Sequence, residues 1–477
     1  MDDKVPPTET GLTHRETMLV VFGVLLPVFM GSLDNTILAG ALPTIGQEFG
    51  DVRNLPWLIT AYLIANTAVV PLYGKISDIY GRQTTLLIAI SCYMLGSLVC
   101  ALAPNMFVLI LGRVLHGIGG GGLTSTGMVV LGDIAAPRDR GKYYGYFSAT
   151  YTTAGACGPA LGGFIAEYLH WSVIFWLNIP LGLIAIALTL TLLRRLPRRE
   201  RRHSLDFLGA GLVMTASVAF MLGLSLGGVR YAWTDPAILG LFGIAVVVGA
   251  GFVVRLLTAP EPLIPLSILS DRVARLAIAF NAFGWGPIVG LNIFLPMYLQ
   301  TIKGFSATAA GLSVLVLSAL LNTSAGITGA LLPRLRHYKV LPMFFMAIAI
   351  AAVLVLAWYG HSLSFWEFEI VLAVIGIGFG AMPPLASTVL QNSVSIHNFG
   401  TAVSTMQFSR NLYCTILISV FGAMVLVATA GTETVAPVVE YSADGFVRLF
   451  YAVAGSFAVA LIAMALLEEK PLATTHG

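Results

Sequence analysis

The strongest constraint on this chain is a near-regular succession of apolar runs, each about as long as a membrane is thick. A helix rises 1.5 Å per residue, so roughly 20 apolar residues cross a hydrocarbon core of ~30 Å. Fourteen stretches reach that length: 18–40, 54–74, 84–103, 107–132, 143–167, 172–193, 207–227, 236–257, 273–299, 307–332, 340–360, 366–391, 402–428 and 446–467. Inside a bilayer each run must satisfy its own backbone hydrogen bonds, which selects helices. The expected fold class is therefore an all-α polytopic membrane protein. Only 10% of the residues are charged, against roughly 25% in an ordinary soluble domain.

Charge placement orients the spans. With the N-terminus inside, twenty of the 26 lysines and arginines fall in or beside the inner segments, including six arginines in 194-RRLPRRERRH-203. The outer segments hold only Arg53, Arg230, Lys303 and Arg448, and two more arginines are intramembrane. That asymmetry places both termini in the cytoplasm. The polar opening segment, with Asp2, Asp3 and Glu9, lacks a basic n-region and a small-residue cleavage site, so no removable signal peptide is expected. Cys92, Cys100, Cys157 and Cys414 lie in apolar runs at no metal-ligand spacing. They read as small hydrophobes, and neither disulfide, metal nor cofactor is expected.

The expected organisation is six plus two plus six. An N-terminal tail (1–17) precedes a six-helix bundle (18–193) and the basic loop 194–206. A two-helix insertion (207–257) and a linker (258–272) lead to a second six-helix bundle (273–467) and a short cytoplasmic tail (468–477). The loop 74-GKISDIYGRQ-83 has a faint second copy in 329-GALLPRLRHY-338, both at the inner end of an outside-to-inside span. Repeated halves with a site between them are a common plan for secondary transporters.

Four motifs carry chemistry or packing. In 117-GIGGGG-122 the spacing Gly117, Gly119, Gly122 satisfies a dinucleotide-binding pattern. That pattern needs a preceding strand and an acidic residue about twenty positions on; neither context fits a run within an apolar membrane helix, and close helix packing is the better reading. The stretch 155-GACGPALGG-163 sets Gly155, Gly158, Gly162 and Gly163 around Pro159, a packing face with a kink that suits a pivot or seal in alternating access. In the first inner loop Gly74 and Gly81 flank Asp78 and Arg82, and Asp133 ends the fourth span at comparable depth. These charges are either a latch for one conformation or plain solvated loop charges, and spacing alone does not choose.

The combination of 33-LDNTILAGALP-43, 74-GKISDIYGRQ-83, 112-GRVLHGIGGGG-122 and 155-GACGPALGG-163 resembles the major facilitator superfamily. Within it, fourteen spans and the first helix look like the drug:proton antiporter branch. The resemblance covers essentially the whole chain. It implies an exporter from the element on span five, a central arginine at Arg113, and a first-helix acid at Asp34 that serves proton coupling. Two departures accompany it: Pro333 stands where the second loop copy should have its acid, and Ser172 replaces the arginine usual after Trp171.

Asp34 raises the sharpest question, because a charge at such depth costs at least ~2.5 kcal/mol. It lies about fifteen residues up its span, or ~22 Å, and Arg113 is six residues into the fourth span, ~9 Å below the outer edge. The two reach the same level and can meet. Arginine favours the carboxylate and burial favours the acid, so opening and closing could load and unload a proton. A static ion pair is the plainer alternative; the lone acid and a cavity facing it favour coupling.

Polar stripes at helical spacing mark that cavity. Tyr62, Asn66 and Tyr73 share a face of span two, and Asn281, Trp285 and Asn292 one of span nine. Ser318 and Asn322 pair on span ten, and Ser404, Gln407 and Asn411 line span thirteen with Arg410 one position off; Tyr151 completes the candidate lining. With no carboxylate beyond Asp34, the cavity suits lipophilic neutral or singly cationic compounds. The expected function is proton-coupled antiport exporting hydrophobic or amphiphilic compounds from a bacterial inner membrane. Export of an endogenous lipid or metabolite, or nutrient import, are the alternatives. An enzyme is disfavoured, since no nucleophile is paired with a base and no His/Cys cluster appears. Protons, substrates and membrane lipids are the expected partners of a monomer with no nucleic acid. Whether a periplasmic adaptor takes part stays open.

Overall fold

The structure, a computed structural model, describes residues 14–51, 54–134, 140–193, 205–228, 230–332, 335, 337–395, 398–428 and 439–469. The N-terminal tail to residue 13, most of the basic loop, Pro333 and the last eight residues lie outside the described residues.

The first half comprises α1 (His14–Phe49), α2 (Leu55–Tyr80), α3 (Arg82–Ala101), α4 (Met106–Ile134), α5 (Arg140–Tyr168), α6 (Val173–Trp176) and α7 (Asn178–Leu192). A hairpin of α8 (Phe207–Leu226) and α9 (Pro236–Thr258) follows. The second half comprises α10 (Leu266–Ser270), α11 (Arg272–Thr301), α12 (Ala307–Leu331), α13 (Val340–Tyr359), α14 (Phe365–Gly380), α15 (Met382–Ser393), α16 (Phe399–Val425) and α17 (Ala443–Ala465). Two three-residue strands, β1 (Leu426–Ala428) and β2 (Val439–Tyr441), pair antiparallel between α16 and α17.

Thirteen helical segments among the described residues are long and apolar enough to cross a membrane. The expected span 143–167 corresponds to α5, which is not among them. Its 29 residues reach ~44 Å, but hydroxyls, glycines and end charges dilute its apolar character. Two expected spans are broken. The run 172–193 divides into α6 and α7, and 366–391 divides at Ala381 because Pro383 and Pro384 lack the amides needed to continue α14. The expected end of span thirteen at residue 428 gives way to β1 after Val425.

The second-half helices enclose the largest apolar core; the first half forms two smaller ones, one of which takes in Phe399 and Val403 of α16. The halves meet through α2 with α16, α5 with α12, and the ends of α4 and α5 with α15 and α16. The hairpin joins this seam in a fourth cluster of Val70, Ala210, Val213, Leu256, Leu263, Ile264 and Phe408. Helix α9 is almost bare, with Val246 and Val247 more than 70% exposed, the surface of a helix facing lipid tails.

The glycine runs act as packing surfaces. A Cβ on Gly119 would collide with the backbone of Tyr93, and one on Gly162 with the carbonyl of Ile37. Only glycine lets α4 lie this close to α3, and α5 to α1.

Candidate functional site

Asp34 and Arg113 are brought together by the crossing of α1 and α4. Arg113 Nη1 donates to both carboxylate oxygens, at 2.9 Å and 2.7 Å, and its Nε donates to the Leu58 carbonyl at 2.8 Å. The guanidinium lies 4.3 Å from the centre of the Tyr62 ring, an added cation–π attraction. Both charged side chains are essentially unexposed. Asp34 is therefore sealed in this state and does not face the expected cavity: α1 and α4 press it against rings from their neighbours, with Tyr93 donating to the Met30 carbonyl at 2.9 Å.

His116 is the residue that the sequence reading passed over. Its Nδ1 lies 2.9 Å from Arg113 Nη1 and 3.6 Å from Asp34 Oδ1. Arginine can only donate, so Nδ1 accepts and the ring carries its proton on Nε2. That Nε2 is buried without a partner. The signal was available, because positions three apart share a helix face and His116 follows Arg113 by that interval.

The second cluster sits where the ends of α2, α4 and α16 converge, here termed the basic end. Arg82 bonds Asp78 and Asp133, both at 2.7 Å, and Ser77 at 3.0 Å. Asp78 also crosses to the other half, accepting from the Gly400 amide at 2.9 Å, the Thr401 amide at 2.7 Å and the Thr401 hydroxyl at 2.8 Å. The two amides are unsatisfied backbone donors of the first turn of α16, where a negative charge is favoured. A Cβ on Gly74 would strike Ser404, so glycine is what admits α16 here. Gly81 turns the chain between α2 and α3 at φ 85°, outside the range of ordinary side chains. The crossing contact was invisible in the sequence, since nothing in 399-FGT-401 announces a partner in another half.

The candidate cavity residues divide. Tyr62 is buried beneath Arg113, and Tyr73 belongs to the first-half core. Ser404 and Gln407 are buried along α16, Asn281 is buried in α11, and Asn322 Nδ2 donates to Ser318 at 2.7 Å. Trp285, Asn292, Asn66 and Asn411 are partly buried, and Tyr151 is exposed beside Phe147. Trp285 Nε1, Asn292 Oδ1 and Gln407 Nε2 are buried polar atoms without partners, the kind of unmet valence that a ligand can satisfy. Arg410 spreads over the Trp285 ring at 5.5 Å and donates to the Asn411 amide oxygen at 3.3 Å. Ser172 takes a hydrogen-bonding contact of 2.8 Å with His170, while Trp171 Nε1 donates to Glu48 at 2.5 Å.

On the fifth helix, Gly158 faces Thr36 and Gly162 faces Ile37, while Gly155 and Gly163 meet open space. Thr36 Oγ1 lies 3.1 Å from the Ala154 carbonyl, so α5 rides on the segment of α1 next to Asp34. The element containing Pro159 is thus mechanically tied to the buried acid.

Thirteen helices apolar enough to cross a membrane, arranged in two halves around a buried ion pair, are an architecture that suits a membrane transporter. The profile of the Major Facilitator Superfamily matches residues 24–418, and the chain belongs to that family. It is 31% identical over 423 residues to the multidrug transporter protein MdtP of Bacillus subtilis, covering 87% of this chain and 76% of that protein. It is 32% identical to the efflux pump dotC of Dothistroma septosporum, covering 83% and 69%. Among solved structures, the human organic anion transporter MFSD10 superposes with a TM-score of 0.66 at 16% identity, covering 94% of this chain and 99% of that one. The proton:xylose symporter XylE gives 0.65 at 13% identity, covering 96% and 97%. The likeness to these structures is one of fold, and the family and the relatives that the chain matches are transporters.

Proposed function

We propose that the chain is a proton-coupled antiporter of the fourteen-span drug:proton branch that exports hydrophobic or amphiphilic compounds. The observation that carries this reading is the sealed Asp34 carboxylate held by Arg113 in a chain related to efflux proteins. Helix α5 supplies the fourteenth span, and the basic end faces the cytoplasm of a bacterial inner membrane. Because the halves join at that end, the state described opens toward the outside. The network of Gly74, Asp78, Gly81, Arg82 and Asp133 latches it.

In the cycle, outside protons reach Asp34 once the Arg113 contact loosens, and neutralising it frees Arg113 and α1 to move against α5. Asp78 then releases α16, the basic end opens, and substrate enters as the proton leaves. Substrate rests among Asn66, Tyr151, Asn281, Trp285, Asn292, Asn322, Gln407 and Asn411. Aromatic rings with the unpartnered Asn292 Oδ1 and Gln407 Nε2 suit lipophilic neutral or singly cationic compounds, and the Arg410 charge disfavours dications. Export of an endogenous lipid or metabolite uses the same machinery; the tie between α5 and α1 favours export over nutrient import. The working unit is a monomer.

The test is purified protein in proteoliposomes with an imposed pH gradient, screened against lipophilic dyes and lipids. Antiport moves substrate against the proton flow and stops when a protonophore collapses the gradient. Movement of substrate with the protons would establish import instead, and movement indifferent to the gradient would remove proton coupling.

A further inference from the structure

The second half contains a buried acid of its own. Glu369 lies in the second turn of α14 and is 9% exposed, against Ser313 of α12, which is fully buried. Ser313 Oγ bonds Glu369 Oε1 and lies 3.1 Å from the Ala309 carbonyl. Glu369 Oε2 is buried with no partner, and no cation reaches the carboxyl among the described residues.

The count of available hydrogens bears on its state. A serine hydroxyl has one hydrogen to give, and Ala309 can only accept. If Ser313 serves Ala309, the hydrogen between Ser313 and Glu369 must come from Glu369. An ionised carboxylate here would share one donor with a carbonyl and leave its second oxygen bare in an apolar setting, which is expensive. A neutral acid closes the relay from Glu369 through Ser313 to Ala309, leaving only a weakly demanding carbonyl oxygen.

The surroundings add no countercharge. Helices α12 and α15 contain no ionisable residue, and α13 contributes only Tyr359 at its end. Tyr298 of α11 stacks on Phe368, and Glu367 is taken by Ser364. Lys303 is held by the carbonyls of His361 and Leu363, at 2.9 Å and 2.6 Å.

We propose that Glu369 and Ser313 form a second proton-binding site, in which Glu369 holds a proton taken from water and Ser313 accepts it in a hydrogen bond. The site shares no residue with the Asp34 cluster and stands whether or not Asp34 couples transport.

Infrared spectroscopy of the full chain in lipid nanodiscs at about pH 8 tests this, because exposed glutamates ionise near ~4.3 and lose their acid carbonyl band. The expected result is a carboxylic-acid carbonyl band that moves on ¹³C-glutamate labelling of the unmutated protein. It should persist in Asp34→Asn, vanish in Glu369→Gln and shift in Ser313→Ala. Absence of any glutamate-derived acid band in the labelled protein overturns the proposal without relying on a variant. A band unchanged in folded Glu369→Gln assigns the proton elsewhere and overturns it equally, and an unmoved band in Ser313→Ala removes the pairing.

Discussion

The two halves treat their buried acids in opposite ways. In the first, Asp34 meets Arg113 and is balanced by charge. In the second, Glu369 has no cation beside it among the described residues and meets the Ser313 hydroxyl instead. The contrast repeats at the basic end. Asp78 reaches across to the first turn of α16, whereas Glu469 stays within its half, accepting from the Lys339 amide at the start of α13 and from His337, both at 2.9 Å. In the proposed cycle the first half holds the acids that exchange partners, and the second offers the surface against which they act.

Removing Arg113 should break the contrast most severely. Stripping the partner from a buried ion pair costs about 3–5 kcal/mol. Arg113→Ala should therefore unfold at much lower temperature at alkaline pH and regain stability on acidification, as Asp34 takes up a proton and becomes an unpaired but neutral acid like Glu369. Adding Asp34→Asn should abolish that pH dependence. A single variant as stable as the parent at every pH would show that Arg113 does not compensate Asp34.

The crossing contact should give the next largest effect. Hydrogen bonds to a charged group contribute about 1.5–3 kcal/mol, so Asp78→Asn should shift the balance toward an open basic end by roughly 10- to 100-fold. Spin labels on the ends of α2 and α16 would report a longer-distance population. An unchanged distance distribution would mean that Asp78, which lies in the last turn of α2 and not in the loop expected at 74–83, is only a local charge at the helix end.

Glu469→Gln sharpens the comparison by its smallness. Burial pushes the Glu469 carboxyl up, but the Lys339 amide and the hydrogen bond and charges of His337 and Lys339 outweigh it and hold the group below its ordinary value. A lowered value in the fold means the contribution is present at neutral pH and is lost as pH falls through the lowered range. The substitution should cost about 1 kcal/mol locally at neutral pH and nothing at strongly acid pH, with α2 to α16 distances unaltered. Opening of the basic end in this variant would erase the distinction between the halves.

Legibility in the sequence followed length scale. Spans were readable because apolar runs of membrane length have few other uses, and Asp34 and Arg113 could be matched from depth alone. Breaks at Leu177 and Ala381 were missed because an apolar run continues through them, although Pro383 and Pro384 mark the second. Glu369 was overlooked because it sits near a span end, where acids are ordinarily solvated; only the packing of α12 on α14 takes it from water. His116 was a matter of spacing unread, while the capping of α16 by Asp78 joins residues 322 positions apart and had no local trace.

The central claim is that Asp34 exchanges the proton that drives transport, and Asp34→Asn addresses it directly because the amide keeps size and hydrogen bonding but cannot titrate. The measurement is uphill transport of a lipophilic dye by proteoliposomes holding equal amounts of folded parent or variant under an imposed pH gradient. Uphill transport is predicted to vanish in Asp34→Asn while dye binding survives; undiminished uphill transport by the variant would contradict the account.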